Sequence, residues 1–121
     1  MTGRGASERR RRNLSGHSAE LIAATYLMAR GYRILARRYK THGGEVDLIA
    51  ARRGRVAFVE VKRRATRADC EAAITETLSR RVRAAADHWL AARPEYQTAM
   101  IGFDLVFVTP WRWPQHLPDA L

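Results

Sequence analysis

Two short stretches of the sequence place acidic residues inside predicted strands, where acids are unusual. They read EVDLIA at 45–50 and VEVK at 59–62. Because side chains alternate along a strand, Glu60 and Lys62 point to the same face, about 6.6 Å apart along the strand. The two strands are predicted to form a hairpin, so the carboxylate of Asp47 can approach that of Glu60.

A close pair of carboxylates indicates a site for a divalent cation. The two groups repel each other, and a buried carboxylate is strongly disfavoured without a cation or hydrogen-bond donors. Hard oxygen ligands favour Mg²⁺ or Mn²⁺ over zinc. A metal at Asp47 and Glu60 would polarise a phosphodiester and help to generate a hydroxide nucleophile, while Lys62 would orient or deprotonate water or stabilise developing charge. The alternative is an ordinary ion pair of Lys62 with either acid.

The composition favours a polyanionic partner. The 121 residues contain 22 Lys and Arg against 12 Asp and Glu, a formal net charge of +10, which indicates nucleic acid before membrane. The basic residues that bracket the acids in the sequence are Arg52, Arg53, Arg55, Arg63, Arg64 and Arg67. They are predicted to contact phosphates, the alternative being a solvated rim. No zinc finger, recognition helix or RNP motif indicates base-specific reading, so binding by shape and charge is expected.

The residue inventory excludes several other kinds of site. Cys70 is the only cysteine, which excludes an intrachain disulfide and a multi-cysteine zinc site and suits a reducing cytoplasm. The four histidines show no H-E-x-x-H spacing. No apolar run approaches the roughly 20 residues that span a bilayer. We therefore expect a cytoplasmic protein with one domain.

The elements that must position the acids are predicted in the order α-β-β-β-α-β. A first helix is expected over about 15–30, capped by Ser15 or Ser18. Strands are expected over 32–39, 45–51, 56–62 and 103–108, and a second helix from about 69 to before Pro94. A strand after a long helix suggests a right-handed crossover to a parallel neighbour. The predicted fold class is therefore α/β, with a mixed sheet and helices on both sides.

Three segments are predicted along the chain. Residues 1–14 form a flexible basic arm, residues 15–110 the folded domain, and residues 111–121 an irregular C-terminal tail. The tail contains Trp111 and Trp113, which are expected to cover edges of the core, with base stacking as the alternative.

The acidic stretches also carry a family resemblance. Glu20 in the first helix, GEVDLIA at 44–50 and VEVKRR at 59–64 resemble the YraN-like family of uncharacterised bacterial proteins. That family is similar to the PD-(D/E)xK nuclease superfamily, so the resemblance implies a restriction-endonuclease-like, three-layer α-β-α fold over about 17–108. The site residues that it implies are Asp47 and Glu60 as metal ligands, Lys62 as the catalytic lysine, Glu20 as a supporting acid, and the Val61 carbonyl completing the site.

Two features qualify this resemblance. Family members often carry a lysine near Leu78 or Ser79, where this sequence has none, and Arg80 or Arg81 is expected to take its place as a phosphate contact. An acid such as Glu20 in the first turn of a helix also has a structural explanation, because it interacts favourably with the helix dipole.

Taken together, the residues and the resemblance predict an endonuclease that depends on Mg²⁺, or on Mn²⁺ in its place. Its expected partner is DNA in preference to RNA. One alternative is a nucleic-acid-binding module that keeps a nuclease-like fold but does not cleave. Another is an assembly or adaptor protein whose basic surface meets an acidic protein. A second copy of so small a domain would allow both strands to be cut, so a homodimer is one option.

Overall fold

The computed structural model describes residues 17–121. The predicted basic arm over 1–14 and the cap at Ser15 lie outside the described residues. In chain order the elements are α1 (helical residues 17–29), β1 (Arg33–Lys40), β2 (Glu45–Arg52), β3 (Arg55–Arg63), α2 (Arg67–Ala72), α3 (Glu76–Ala91), a 3₁₀ turn (Pro94–Tyr96), β4 (Met100–Val108) and β5 (Gln115–Leu117).

The five strands form one mixed sheet in the order β1-β2-β3-β4-β5. Neighbouring strands are antiparallel except β3 and β4, which are parallel and are joined through α2 and α3. The β2–β3 hairpin turns at Arg53 and Gly54, whose φ angles of 49° and 78° are those of a tight type I′ turn. The predicted α/β class, the mixed sheet and the order α-β-β-β-α-β are confirmed.

Helices cover both faces of this sheet. On one face, the buried side chains of α1 follow helical spacing and pack on β2, β3 and β4; they are Ala19, Ala23, Ala24 and Leu27. On the other face, α3 packs a similar stripe on β2 and β3, formed by Val82, Ala85, Ala86 and Trp89. A strand buried on both faces has apolar side chains at successive positions, which explains why residues 56–61 of β3 are all buried and why only Glu60 among them is not apolar. The result is a three-layer α-β-α arrangement.

The structure corrects the prediction of a single helix from 69 onwards. Thr75 has an extended backbone, and its side-chain oxygen accepts a hydrogen bond from the Leu78 amide, so a new helix begins there. Thr66 caps the preceding α2 in the same way. Two capping residues therefore divide the predicted helix into α2 and α3.

The segment expected to be an irregular tail contains a short strand. Residues 115–117 form β5, which pairs antiparallel with β4 through the register Val106↔His116. Without β5 the buried strand β4 would leave its backbone donors and acceptors unpaired at the sheet edge. Among residues 17–121 no helix is both long enough and apolar enough to cross a membrane.

Candidate active site

The acids in β2 and β3 meet at the end of the sheet opposite the β2–β3 turn. The paired register of these strands runs from Arg52↔Arg55 at the turn to Leu48↔Val59 and stops there. Asp47 therefore lies where the strands separate, and its Oδ2 accepts a hydrogen bond from the Val61 amide at 2.8 Å. This bond holds the Asp47 carboxylate against β3, next to Glu60.

Glu60 is a buried acid with a strongly perturbed titration. It is only 6% exposed, and Lys62 Nζ lies 3.0 Å from its Oε2. Burial, and then the negative charge of Asp47, raise the pKa of Glu60 to about 8, although the Lys62 charge opposes the shift. The ion pair of Lys62 with Glu60 is present; it is one of the two pairings that the sequence leaves open. A second cation at this place would favour the ionised form of Glu60.

The first helix adds a third acid to this cluster. The side chain of Glu20 is 13% exposed, and its Oε2 is buried and receives no hydrogen bond among residues 17–121. The nearest charged partner is Arg38, whose Nε lies 3.5 Å from that oxygen. Burial and the charge of Asp47 raise the pKa of Glu20, against the effect of Arg38. Glu20 and Asp47 therefore belong to one electrostatic cluster.

The backbone around Asp47 departs from a regular strand. Val46 packs in the core on the α3 side, whereas Leu48, two positions on, packs in the core on the α1 side. The register of β1 and β2 pairs the flanking residues and leaves Arg38 opposite Asp47 without a ladder pairing. Arg38 has a φ of 49°, a left-handed conformation that a non-glycine residue adopts at some cost and that is common at functional sites.

Two small contacts fix the strands that carry the site. Gly44 precedes β2 at a point where a Cβ atom would overlap the backbone carbonyl of Arg81 in α3, so only glycine allows this close approach. On β3, the buried thiol of Cys70 lies 3.7 Å from the carbonyl oxygen of Lys62. These contacts set where Asp47 and Lys62 can lie relative to the helices.

Three of the arginines predicted to bind nucleic acid lie far from the acids. Arg52, Arg53 and Arg55 are at the β2–β3 turn, and Arg52 is five residues from Asp47 along β2, or about 17 Å at the usual strand rise. Arg55 is further committed to a bidentate contact with Asp104 at 2.6 and 2.8 Å. Although these arginines bracket the acids in the sequence, they do not surround them in the structure, because strands that carry the acids at one end carry their turn at the other.

Other predicted arginines lie nearer the acids. Arg63 and Arg64 directly follow Lys62 at the end of β3. On α3, Arg81 Nη2 lies 3.5 Å from Glu45 Oε1 at the start of β2, and Arg80 precedes it on the exposed side of the helix. Arg67 is engaged by Glu71 and Gln115. Contact of any of these residues with nucleic acid stays a prediction.

The basic residues of β1, which the sequence does not mark as functional, lie near Glu20 in the structure. Arg38 approaches Glu20 directly, and Arg37 and Lys40 also lower the pKa of that acid through their charges. Arg38 Nη1 is in addition 2.6 Å from His17 Nε2. The run RRYK at 37–40 could have indicated these residues. Its nearness to Glu20 follows only once β1 is known to pair with β2.

The fold and the cluster define a class: an α/β protein of nuclease-like fold with three acids and a lysine at one end of its mixed sheet. Within that class, the chain belongs to the uncharacterised protein family UPF0102, whose model matches residues 19–108. This confirms the resemblance to the YraN-like family. The matched range contains the four cluster residues Glu20, Asp47, Glu60 and Lys62.

Similar bacterial proteins cover nearly the whole chain. It is 52% identical over 105 residues to a UPF0102 protein of Rhizobium meliloti strain 1021, covering 87% of this chain and 86% of that one. It is 55% identical over 106 residues to a UPF0102 protein of Rhodopseudomonas palustris strain HaA2, covering 88% and 83%. A relative from Mesorhizobium japonicum is 46% identical over 120 residues, covering 99% and 96%.

Proposed function

We propose that the protein is a Mg²⁺-dependent endonuclease that cleaves phosphodiester bonds of DNA and recognises its shape and charge. The observation that carries this proposal is the meeting of Glu20, Asp47, Glu60 and Lys62 at one end of the sheet. Three acids gathered in a partly buried site are electrostatically unfavourable alone. Burial and the charge of Asp47 raise the pKa of both Glu20 and Glu60, and a bound cation would favour the ionised forms of these acids.

The residues present suit a small hard cation. Asp47 and Glu60 offer carboxylate oxygens, and Glu20 Oε2 is a buried acceptor that receives no hydrogen bond from residues 17–121. No group of three His, Cys, Asp or Glu side chains within that described range is arranged to hold a metal by itself. Mg²⁺ needs no such group, because it binds proteins through one or two carboxylates and keeps several water molecules. Asp47 and Glu60 would be the ligands, with Glu20 acting on the bound water.

The residues of the chain have separate roles in this proposal. When bound, the metal would polarise the phosphodiester and lower the pKa of a bound water molecule. Asp47 is held in place by the Val61 amide. Lys62 Nζ, already 3.0 Å from Glu60, would turn toward the scissile phosphate and stabilise the charge that develops on its oxygens. Arg37 and Arg38 would hold a flanking phosphate beside the acids.

One observation favours a second candidate, a nucleic-acid-binding module that does not cleave. Lys62 already contacts Glu60 at 3.0 Å without a metal, as it would in a purely structural pair. In that case the basic surface would bind DNA in a salt-dependent way, and substitution of the acids would leave affinity intact.

A cleavage assay tests the proposal. The purified full chain is incubated with labelled single-stranded, duplex, flapped and four-way-junction DNA, and with RNA, in Mg²⁺, Mn²⁺ or EDTA. Glu60→Gln and Lys62→Met are compared with Asp87→Asn, a control on the exposed side of α3. We expect metal-dependent cutting by the wild type and the control only. Binding by all four proteins without cutting in any metal would instead support the non-catalytic module.

A further inference from the structure

Two of the three tryptophans of this chain are presented to solvent. Trp89 is 2% exposed and packs between the rings of Phe58 and Tyr96. Trp111 and Trp113 are 102% and 84% exposed, and neither has a ring partner among residues 17–121. The expectation that they cover edges of the core is therefore wrong. Large aromatic side chains left in solvent are typical of binding surfaces.

The segment that carries these rings is held at both ends. It connects β4 to β5, and β5 is hydrogen-bonded to β4. Beyond β5, the Asp119 amide donates to the buried carboxylate of Asp104 at 2.9 Å. Trp111 has a φ of 63°, a left-handed conformation that is strained for a bulky residue. The rings are thus displayed by an anchored loop, and the strain at Trp111 is not compensated by burial of its side chain.

This loop leaves the sheet at the same end as the acids. Because β3 and β4 are parallel, Lys62 lies opposite Phe107 and Arg63 opposite Val108 in the register. The Cα of Trp111 is therefore at most about 19 Å from that of Lys62, counting roughly 5 Å between strands and 14 Å for four extended residues. A short single strand can therefore reach from the loop to the acids.

The two sides of the loop differ. Trp113 and Pro114 border an apolar cavity of about 400 Å³, whose other lining residues are Leu21, Ile22, Thr25, Tyr26 and Ala29 of α1. The side that carries Arg112 is basic and polar. A cavity of about 490 Å³ opens beside it, and the residues that line this cavity are Ala65, Thr66, Arg67, Thr109, Pro110, Arg112 and Gln115. None of them is acidic. Arg67 is engaged by Glu71 and Gln115, whereas Arg112 lies exposed between the two tryptophans. Exposed aromatic rings beside guanidinium groups are the combination with which proteins bind single-stranded nucleic acid.

We propose that Trp111, Arg112 and Trp113 form a stacking platform for unpaired bases, with Arg112 on the adjoining phosphate. The inference rests on the proposed function and names its substrate class: DNA that brings a single-stranded stretch to the acids, such as a flap or a branched end. Tryptophan and arginine also suit a membrane surface, but the platform adjoins the carboxylates and Lys62, which favours nucleic acid.

Binding measured in EDTA separates this inference from cleavage. The probes are a fluorescein-labelled 12-nucleotide oligothymidylate and a 12-base-pair duplex, followed by anisotropy, and vesicles of pure phosphatidylglycerol, followed by co-sedimentation. The variants are the double changes Trp111→Ala with Trp113→Ala and Trp111→Phe with Trp113→Phe. Met100→Ala is the control, because Met100 is an exposed apolar residue at the other end of β4.

We expect the alanine double variant to bind oligothymidylate about tenfold or more weakly and the duplex within twofold of wild type. The phenylalanine variant should recover most of the loss, and the control should bind like wild type. Equal losses on both DNA probes, or none, would overturn the inference. So would tryptophan-dependent binding to vesicles without binding to oligothymidylate. If Glu60→Gln abolishes cleavage while the tryptophan variants cleave like wild type, only the platform is refuted. If the tryptophans are needed to bind oligothymidylate but no variant or wild type cleaves DNA, only the nuclease proposal is refuted.

Discussion

Replacing Asp104 by Asn tests whether one buried carboxylate fastens the C-terminal segment to the sheet. The Asp104 side chain lies in β4 with no exposed surface. Arg55 of β3 donates to both of its oxygens, at 2.8 and 2.6 Å. His116 Nε2 lies 2.8 Å from Oδ2, and the Asp119 amide donates to Oδ1. Because an ionised carboxylate only accepts, His116 must carry its proton on Nε2.

The expected loss follows from these contacts. Removing one partner of a buried ion pair costs about 3–5 kcal/mol, since the other charge stays buried and unpaired. Arg55 keeps a second partner, Asp119, at 3.1 Å, and asparagine keeps one accepting oxygen. We therefore expect the free energy of unfolding to fall by about 3 kcal/mol, which lowers Tm by roughly 10–20 °C in a domain of this size.

The same carboxylate predicts a dependence on pH. Burial raises the pKa of Asp104, but hydrogen bonds from Arg55, His116 and the Asp119 amide outweigh it and lower the pKa from 3.8 to about 2. A carboxylate with a lowered pKa stabilises the fold above its unfolded pKa, and this stabilisation is lost as the pH falls from 3.8 to about 2. The contribution is about 2 kcal/mol.

Urea unfolding of the full chain between pH 2 and 7 measures both effects. Asp87→Asn, which changes an exposed aspartate of α3, is the matched control. The difference between Asp104→Asn and wild type should shrink by about 2 kcal/mol as the pH falls through this window. A loss below about 1 kcal/mol at pH 7, in the range of a surface pair, or a difference that does not vary with pH, would refute the reasoning.

Three further predictions concern the acidic end of the sheet. In EDTA, wild-type stability should fall as the pH rises from 4.5 toward about 8, because the pKa of Glu60 is raised, and Mg²⁺ should restore it. Melts of Glu60→Gln should show a smaller pH effect, because only the raised pKa of Glu20 remains, and no Mg²⁺ response; a Mg²⁺ response in that variant would remove Glu60 from the ligand set. Gly44→Ala should lower Tm by several degrees through overlap with Arg81, and an unchanged melt by circular dichroism would contradict the close approach. Arg38→Ala should raise the KM for DNA severalfold while Arg53→Ala, at the distant turn, leaves it unchanged; equal effects would show that position relative to the acids does not matter.

Local patterns predicted most of the fold. The apolar runs of β2, β3 and β4 and the helical stripe of α3 are strong signals, since each buries a continuous row of side chains. The break before α3 depended on one capping threonine, Thr75, within an otherwise helical pattern. The strand β5 has three residues and exists because β4 offers it an edge, which is a tertiary cause with little local signal.

The candidate site divides in the same way. The proximity of Asp47, Glu60 and Lys62 could be predicted from the alternation of side chains along a strand and from a hairpin, because both depend only on nearby sequence. The neighbourhood of Glu20 could not, since Arg38 reaches it only through the pairing of β1 with β2. Arg55 shows the same limit: the sequence places it at the β2–β3 turn, but its partner Asp104 is 49 residues away and has no local signal.

Single-turnover cleavage of the preferred DNA substrate in Mg²⁺, by wild type and by Asp47→Asn, tests the central claim most directly. This substitution keeps the size of the side chain and an oxygen to accept from the Val61 amide, while it removes the charge that would hold the metal. Circular dichroism and oligothymidylate binding in EDTA confirm that the variant is folded and binds. We predict that its cleavage rate falls by about a thousandfold or more, a barrier of roughly 4 kcal/mol. A variant that cleaves at the wild-type rate would contradict the account.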